Sequence, residues 1–133
     1  MIPKFRAWDV HEKKMFTNDQ LIIWNGNVYA NDNSKLNVDN LKGWNIDEKY
    51  LMQSTGLKDK NGKEIYEGDI VRYECCFGSY VEEVIYDDKH CNFGTIDNDE
   101  ETFSFAALIS HSDVDCFEVV GNKYENPELL ERE

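Results

Sequence analysis

Adjacent thiols at Cys75-Cys76 are the first side chains in this sequence that could do chemistry, since two neighbouring cysteines can close a strained vicinal disulfide. A strand sends neighbouring side chains to opposite faces, so ordinary packing of one thiol inward and one outward is the simpler expectation. His90-Cys91, His111 and Cys116 supply metal-ligating types, yet their spacing lacks the close ligand pairs on which zinc sites rely. Ser110-His111-Ser112-Asp113 contains the residue types of a hydrolytic triad, but triad members meet through folding and not by adjacency. Asp87/Asp88 and Glu100/Glu101 offer paired carboxylates. In a chain with 27 Asp and Glu such pairs arise by chance, and they read as solvated turns. Gly56, Gly62 and Gly68 stand six apart, which is neither a dinucleotide fingerprint nor a phosphate loop, so they serve turns. These residues predict no catalytic site, no cofactor and no metal.

The aromatic residues carry more information. Trp8, Trp24 and Trp44, with Tyr29 and Tyr50, all fall in the first half of the chain. Tryptophan and tyrosine are enriched at the centres of protein interfaces, and three indoles exceed what the core of so small a unit needs. The tryptophans therefore read either as core or as a surface for self-association or a partner.

Charge divides the chain the same way. Residues 1–66 hold 10 Lys and Arg against 9 Asp and Glu, whereas residues 67–133 hold 4 against 18, so the net charge of −13 belongs to the second half. Such a surface repels phosphate backbones and cannot gain from counterion release, which argues against direct nucleic-acid binding. It serves solubility, or it steers a basic partner by imitating nucleic acid. The first residues, charged at Lys4, Arg6 and Asp9, form no signal peptide, and no run approaches the roughly 20 apolar residues of a membrane span. The expected location is the cytoplasm, with Cys75, Cys76, Cys91 and Cys116 reduced.

Those groups must be positioned by strands. Ile2–Trp8 alternates with a period of two, and Met15-Phe16 reads as the return of a hairpin closed at Asn18-Asp19. Leu21–Trp24 and Val28-Tyr29 flank Asn25-Gly26, a strong two-residue turn. Asn31–Ser34 reads as a loop; Leu36–Tyr50 settles into neither period. Asp47–Leu51 suits one turn leading into a strand over Tyr50–Gln53. Further strands are expected over Asp69–Cys75, Tyr80–Tyr86 after a turn at Phe77-Gly78-Ser79, Asn92–Ile96, around Phe103 and Phe105, and over Cys116–Val120, stopped by Gly121-Asn122. Asn126-Pro127-Glu128 has the form of a capped helix start, for a helix of at most two turns.

The stretch Leu51–Tyr73 joins a glycine break at Gly56, a turn over Asp59-Lys60-Asn61-Gly62 and a Gly68-Asp69 step into Ile70-Val71. Thr55–Val71 resembles the signature of the YopX family, small proteins encoded by phages and prophages of Gram-positive bacteria. Lys4–Asp9 with Lys14-Met15, and Phe117–Leu130, agree with the same family. The resemblance marks Gly56, Asp59, Gly62, Gly68 and Asp69 as family turn residues. It implies a phage-derived intracellular protein that is mostly β and self-associates, and it transfers no activity. The expected fold is mainly β: a β-rich N-terminal subdomain over residues 1–55, then a small SH3-like barrel over 56–133 with a short C-terminal helix. The expected partner is a second copy, or a host or phage protein, with neither nucleic acid nor membrane; the expected role is non-enzymatic, with an acidic nucleic-acid mimic as the alternative.

Overall fold

The computed structural model describes residues 3–30, 44–75, 78–89, 91–96, 102–104 and 117–130. The chain divides into two units, Met1–Ser54 and Thr55–Glu133. Both are built from antiparallel strands.

In the first unit, Asp9 ends strand β1 (Phe5–Asp9) by accepting the N–H groups of His11 and Glu12 at 2.9 and 3.2 Å, and the chain returns as β2 (Lys14–Phe16). A 3-10 turn over Asn18–Gln20 leads to β3 (Leu21–Trp24). Asn25 and Gly26 take φ of 51° and 77°, the two positive values that a tight hairpin turn requires, and β4 (Asn27–Ala30) follows in the register Trp24↔Asn27. Strand β5 (Trp44–Ile46) pairs with β4, giving the sheet order β3-β4-β5. After a 3-10 turn over Glu48–Tyr50, capped by Asp47, β6 (Leu51–Lys58) pairs with β1 as Arg6↔Met52. Ala7, Phe16, Val28, Ala30 and Ile46 are buried together, with Leu21, Tyr50 and Leu51 packed against them.

Strand β6 passes from the first unit into the second, where it pairs with β7 (Glu64–Tyr66). Then come β8 (Asp69–Cys75), β9 (Gly78–Asp87), β10 (Asn92–Ile96), β11 (Thr102–Ser104) and β12 (Glu118–Asn122), in a five-stranded sheet of order β11-β10-β9-β8-β12. A 3-10 turn over Pro127–Leu130 ends the described chain. The period of two explains the core: Val71 and Tyr73 alternate with exposed Arg72 and Glu74, and Val84 lies in phase with Tyr80 and Glu82. Ile65, Val71, Tyr73, Val84 and Phe117 form that core, with Leu57, Tyr80, Phe93 and Val119 around it.

Four local expectations are corrected. Gly56 does not break its strand; β6 continues through it at φ 81°. Gly78 and Ser79 are not turn residues but open β9, where the register pairs them with Cys75 and Glu74, and Gly78 takes φ 133°. Strand β12 runs through Gly121-Asn122 by means of a register shift between Val119 and Gly121 against β8. Asn126 does not cap the turn that follows it. Its side-chain oxygen accepts the N–H of Asn122 instead, at 3.3 Å, while Asn122 accepts the N–H groups of Tyr124 and Glu125. The loop Asn31–Ser34 and the stretch 36–43 lie outside the described residues.

Gly121 makes this arrangement possible. A methyl group there would meet the Asn126 side-chain oxygen at 2.6 Å and its Cβ at 2.9 Å, so the whole asparagine would have to move and release Asn122. Gly121→Ala is expected to lower stability by about 1–2 kcal/mol in urea unfolding. An unchanged midpoint would contradict the packing described.

Candidate interaction surface

Register and alternation decide which side chains of the β3–β4 hairpin are left over. Leu21, Val28 and Ala30 turn into the small core of the first unit, and Val28 and Ala30 are fully sequestered by it. Ile23 shares the face of Leu21 and Val28 but stands next to the turn and remains 47% exposed, whereas Trp24, by alternation, points to the opposite face with Asn27 and is 72% exposed. An indole so far from cover is costly in water, because a tryptophan presents roughly 150–250 Å² of largely apolar surface.

The other candidate tryptophans are placed differently. Trp8 is half-buried on β1 and lines a pocket of about 290 Å³ with Asp9, Val10, Asn45, Ile46 and Tyr50. Lys49, on the rim of the same pocket, holds its Nζ 5.1 Å from the centre of the Tyr50 ring, a geometry in which the ring face attracts the ammonium. Trp44 lies on β5 in register with Ala30; its side chain is outside the described set. Trp8 and Tyr50 are therefore divided between core and pocket wall, and Trp24 belongs to the surface.

The family turn residues act on the backbone of the second unit. Asp59 receives the N–H groups of Asn61 and Lys63 on Oδ1 at 2.9 and 2.8 Å, and that of Val119 on Oδ2 at 2.9 Å, so one buried carboxylate holds its own turn and ties it to β12. Partial burial raises its pKa; the three N–H donors and the Lys63 charge outweigh that and hold it below the ordinary carboxylate value. Gly62 occupies φ 83° in the same turn. Asp69, also buried, accepts the Tyr66 N–H at 2.8 Å, and Gly68 at φ 84° exchanges backbone hydrogen bonds with Val84 and Lys123. On the neighbouring surface, the Arg72 guanidinium, 2.7 Å from Glu118 and aided by Lys60 at 3.4 Å, keeps the Glu118 carboxyl below its usual range.

One polar group was not singled out by the sequence. Glu82 is 2% exposed within the second core, where the hydroxyls of Tyr73 and Thr95 donate to its Oε1, the latter at 3.5 Å. Tyr73, Glu82 and Thr95 stand on β8, β9 and β10, so the contact links three adjacent strands. The available signal was its phase: Glu82 shares the period-two face of Tyr80 and Val84, whereas Glu83 points the other way and meets Lys123 at 3.8 Å.

Among the described residues, those considered for catalysis or metal binding are not brought together. Cys91 is an exposed free thiol, and Asp87 accepts the Lys89 N–H in a turn. The side chain of Cys75, together with Cys76, His90, Glu100, Glu101, Ser110–Asp113 and Cys116, lies outside the described set. Among the described residues no three His, Cys, Asp or Glu gather as metal ligands would, and no helix is long and apolar enough to cross a membrane.

The family model described as YopX protein matches residues 4–131. This chain belongs to the YopX family. Protein EF1440 from Enterococcus faecalis, known from a crystal structure, is similar to this YopX family member at 31% identity, over 98% of this chain and 99% of that one, with a TM-score of 0.64. Protein yopX from Bacillus subtilis, also a crystal structure, is similar at 25% identity over 96% and 98% of the two chains, with a TM-score of 0.59. The curated proteins contain no match. Family membership thus agrees with the mainly β fold and brings no activity with it.

Proposed function

We propose that this YopX family member is a non-enzymatic protein-binding module that assembles with copies of itself through the Ile23-Trp24 end of its first unit. The observation that carries the reading is the 72% exposure of Trp24, with Ile23 47% exposed on the other face, at the end of a two-residue hairpin. Aromatic side chains held on regular structure are the usual anchors of protein interfaces, since little conformational entropy is lost when they are covered. A non-enzymatic role is supported by what the carboxylates do: Asp9, Asp47, Asp59, Asp69 and Asp87 each hold backbone N–H groups. We read the five-stranded sheet of the second unit as part of a small SH3-like barrel, an acidic platform of a phage or prophage protein working in the host cytoplasm.

The test is size-exclusion chromatography with light scattering. Trp24→Ser is expected to weaken self-association about 30-fold or more, corresponding to roughly 2 kcal/mol for an interface anchor. Unaltered association would remove Trp24 from the interface.

Charge favours a second reading, in which the acidic unit occupies a basic host factor in place of nucleic acid. Residues 55–133 hold 7 Lys and Arg against 20 Asp and Glu. Binding of that kind weakens as salt shortens the Debye length, whereas binding through Trp24 does not.

A further inference from the structure

The hairpin that exposes Trp24 also leaves, among the described residues, a strand edge open, and the two features together specify a mode of pairing. Among the described residues, β3 is an edge strand in the order β3-β4-β5. Trp24 and Asn27 flank the two-residue turn and so form a hydrogen-bonded pair; by alternation Ile23 and Leu21 direct their N–H and C=O groups away from β4. The Leu21 N–H is already used, donating to the Asn18 carbonyl to close the preceding 3-10 turn. Ile23 therefore has both backbone groups aimed outward, and among the described residues no hydrogen bond reaches either.

Edge strands are commonly protected by a charge, a proline or a bulge. Leu-Ile-Ile-Trp contains none of these. The unit that carries it is also electrically suited to meeting its own copy: residues 1–54 hold seven Lys and Arg against seven Asp and Glu, while all of the net −13 lies in residues 55–133. The first unit itself thus sets up no net charge repulsion between copies. An identical strand is self-complementary about a two-fold axis, as an isologous interface requires.

We propose that β3 pairs antiparallel with β3 of a second copy about a two-fold axis at Ile23. Each Ile23 exchanges both backbone hydrogen bonds with its counterpart, and Trp24 lies directly across from Ile22 of the other copy. Two observations choose this register. An axis at Ile22 would call on the Leu21 N–H, which Asn18 already holds. With the axis at Ile23, the exposed indole is covered by an isoleucine in a non-hydrogen-bonded pair, the closer of the two kinds, where aromatic and β-branched side chains pack well. The proposal rests on the reading of the hairpin as the self-association surface and adds the occupant, the strand and its register.

The experiment is oxidative cross-linking of Ile23→Cys in the full chain. At the axis the two Cα atoms would stand about 5.5 Å apart, within reach of a disulfide. Mild oxidation is expected to join Ile23→Cys to itself at least about tenfold faster than Val10→Cys, an exposed site on the same unit, because pairing raises the local thiol concentration. Peptide mass mapping separates this bond from those of the native cysteines. Ile23→Pro, which removes an N–H aimed away from β4 and keeps the β3–β4 ladder, is expected to abolish association while leaving the circular dichroism of the fold. If Ile23→Cys links no faster than Val10→Cys while the unmodified chain still self-associates and depends on Trp24, the strand pairing is wrong and the hairpin surface stands. A monomeric unmodified chain overturns both.

Discussion

Phe117→Ala is expected to lower the stability of the second unit by about 4 kcal/mol, in the range for emptying a buried aromatic site. Phe117 is wholly buried, its ring centre lies 4.9 Å from that of Tyr73, and Ile65, Val71 and Val84 complete its surroundings. Alanine would leave an apolar cavity between strands already paired on either side, and a sheet fixed by its ladders cannot collapse far to fill it. The substitution keeps the Phe117 carbonyl, which accepts the Lys60 N–H at 2.9 Å beside the Asp59 turn, so the loss is one of side-chain packing. Urea unfolding should show an earlier midpoint with an unchanged slope. A loss below about 1 kcal/mol would mean that the site is not the close-packed centre of this unit.

Asp59→Ala is expected to cost about 3 kcal/mol, because three backbone N–H groups lose one acceptor and a buried donor without a partner costs roughly 1–3 kcal/mol. The bond to Val119 joins positions 60 apart, so its loss loosens β12 as well as the turn. Acid provides an independent check. The Asp59 pKa is lower in the folded protein than in the unfolded chain, so its contribution is fully present above the ordinary value of 3.8 and disappears as the pH falls through the lower folded value. Glu118, held down by Arg72 and Lys60, adds to the same trend. Between neutral pH and that limit, the gap between native protein and Asp59→Ala should stay constant, then narrow with further acid. A gap that widens in acid would contradict the hydrogen bonding described.

Much of this was legible from local signals. Asn25-Gly26 fixed a turn type by itself, since both residues accept positive φ, and β3, β8 and β10 follow directly from alternation and punctuation. The roles of Asp59 and Gly62 could be read for the same reason: Asx turns and left-handed glycines are settled within four residues. Non-local effects were the ones missed. Asn126 serves Asn122 instead of the turn that follows because a bulge in β12 brings Gly121 against it, and that bulge depends on β8, some fifty residues earlier. Glu82 looks like one more surface acid beside Glu83 until the sheet places it between Tyr73 and Thr95. The tryptophans show the same division. Composition proposed three indoles as a possible surface; only the pairing of the strands separates half-buried Trp8 from Trp24, which the register turns to the face opposite Val28 and Ala30.

Sedimentation velocity of the unmodified protein across a wide concentration range tests the contact surface most directly. Assembly through the β3 hairpin predicts a mass that rises above the 15.6 kDa of one chain as concentration increases, with little response to salt because the associating unit has no net charge. A mass that remains at 15.6 kDa into the high micromolar range would contradict it.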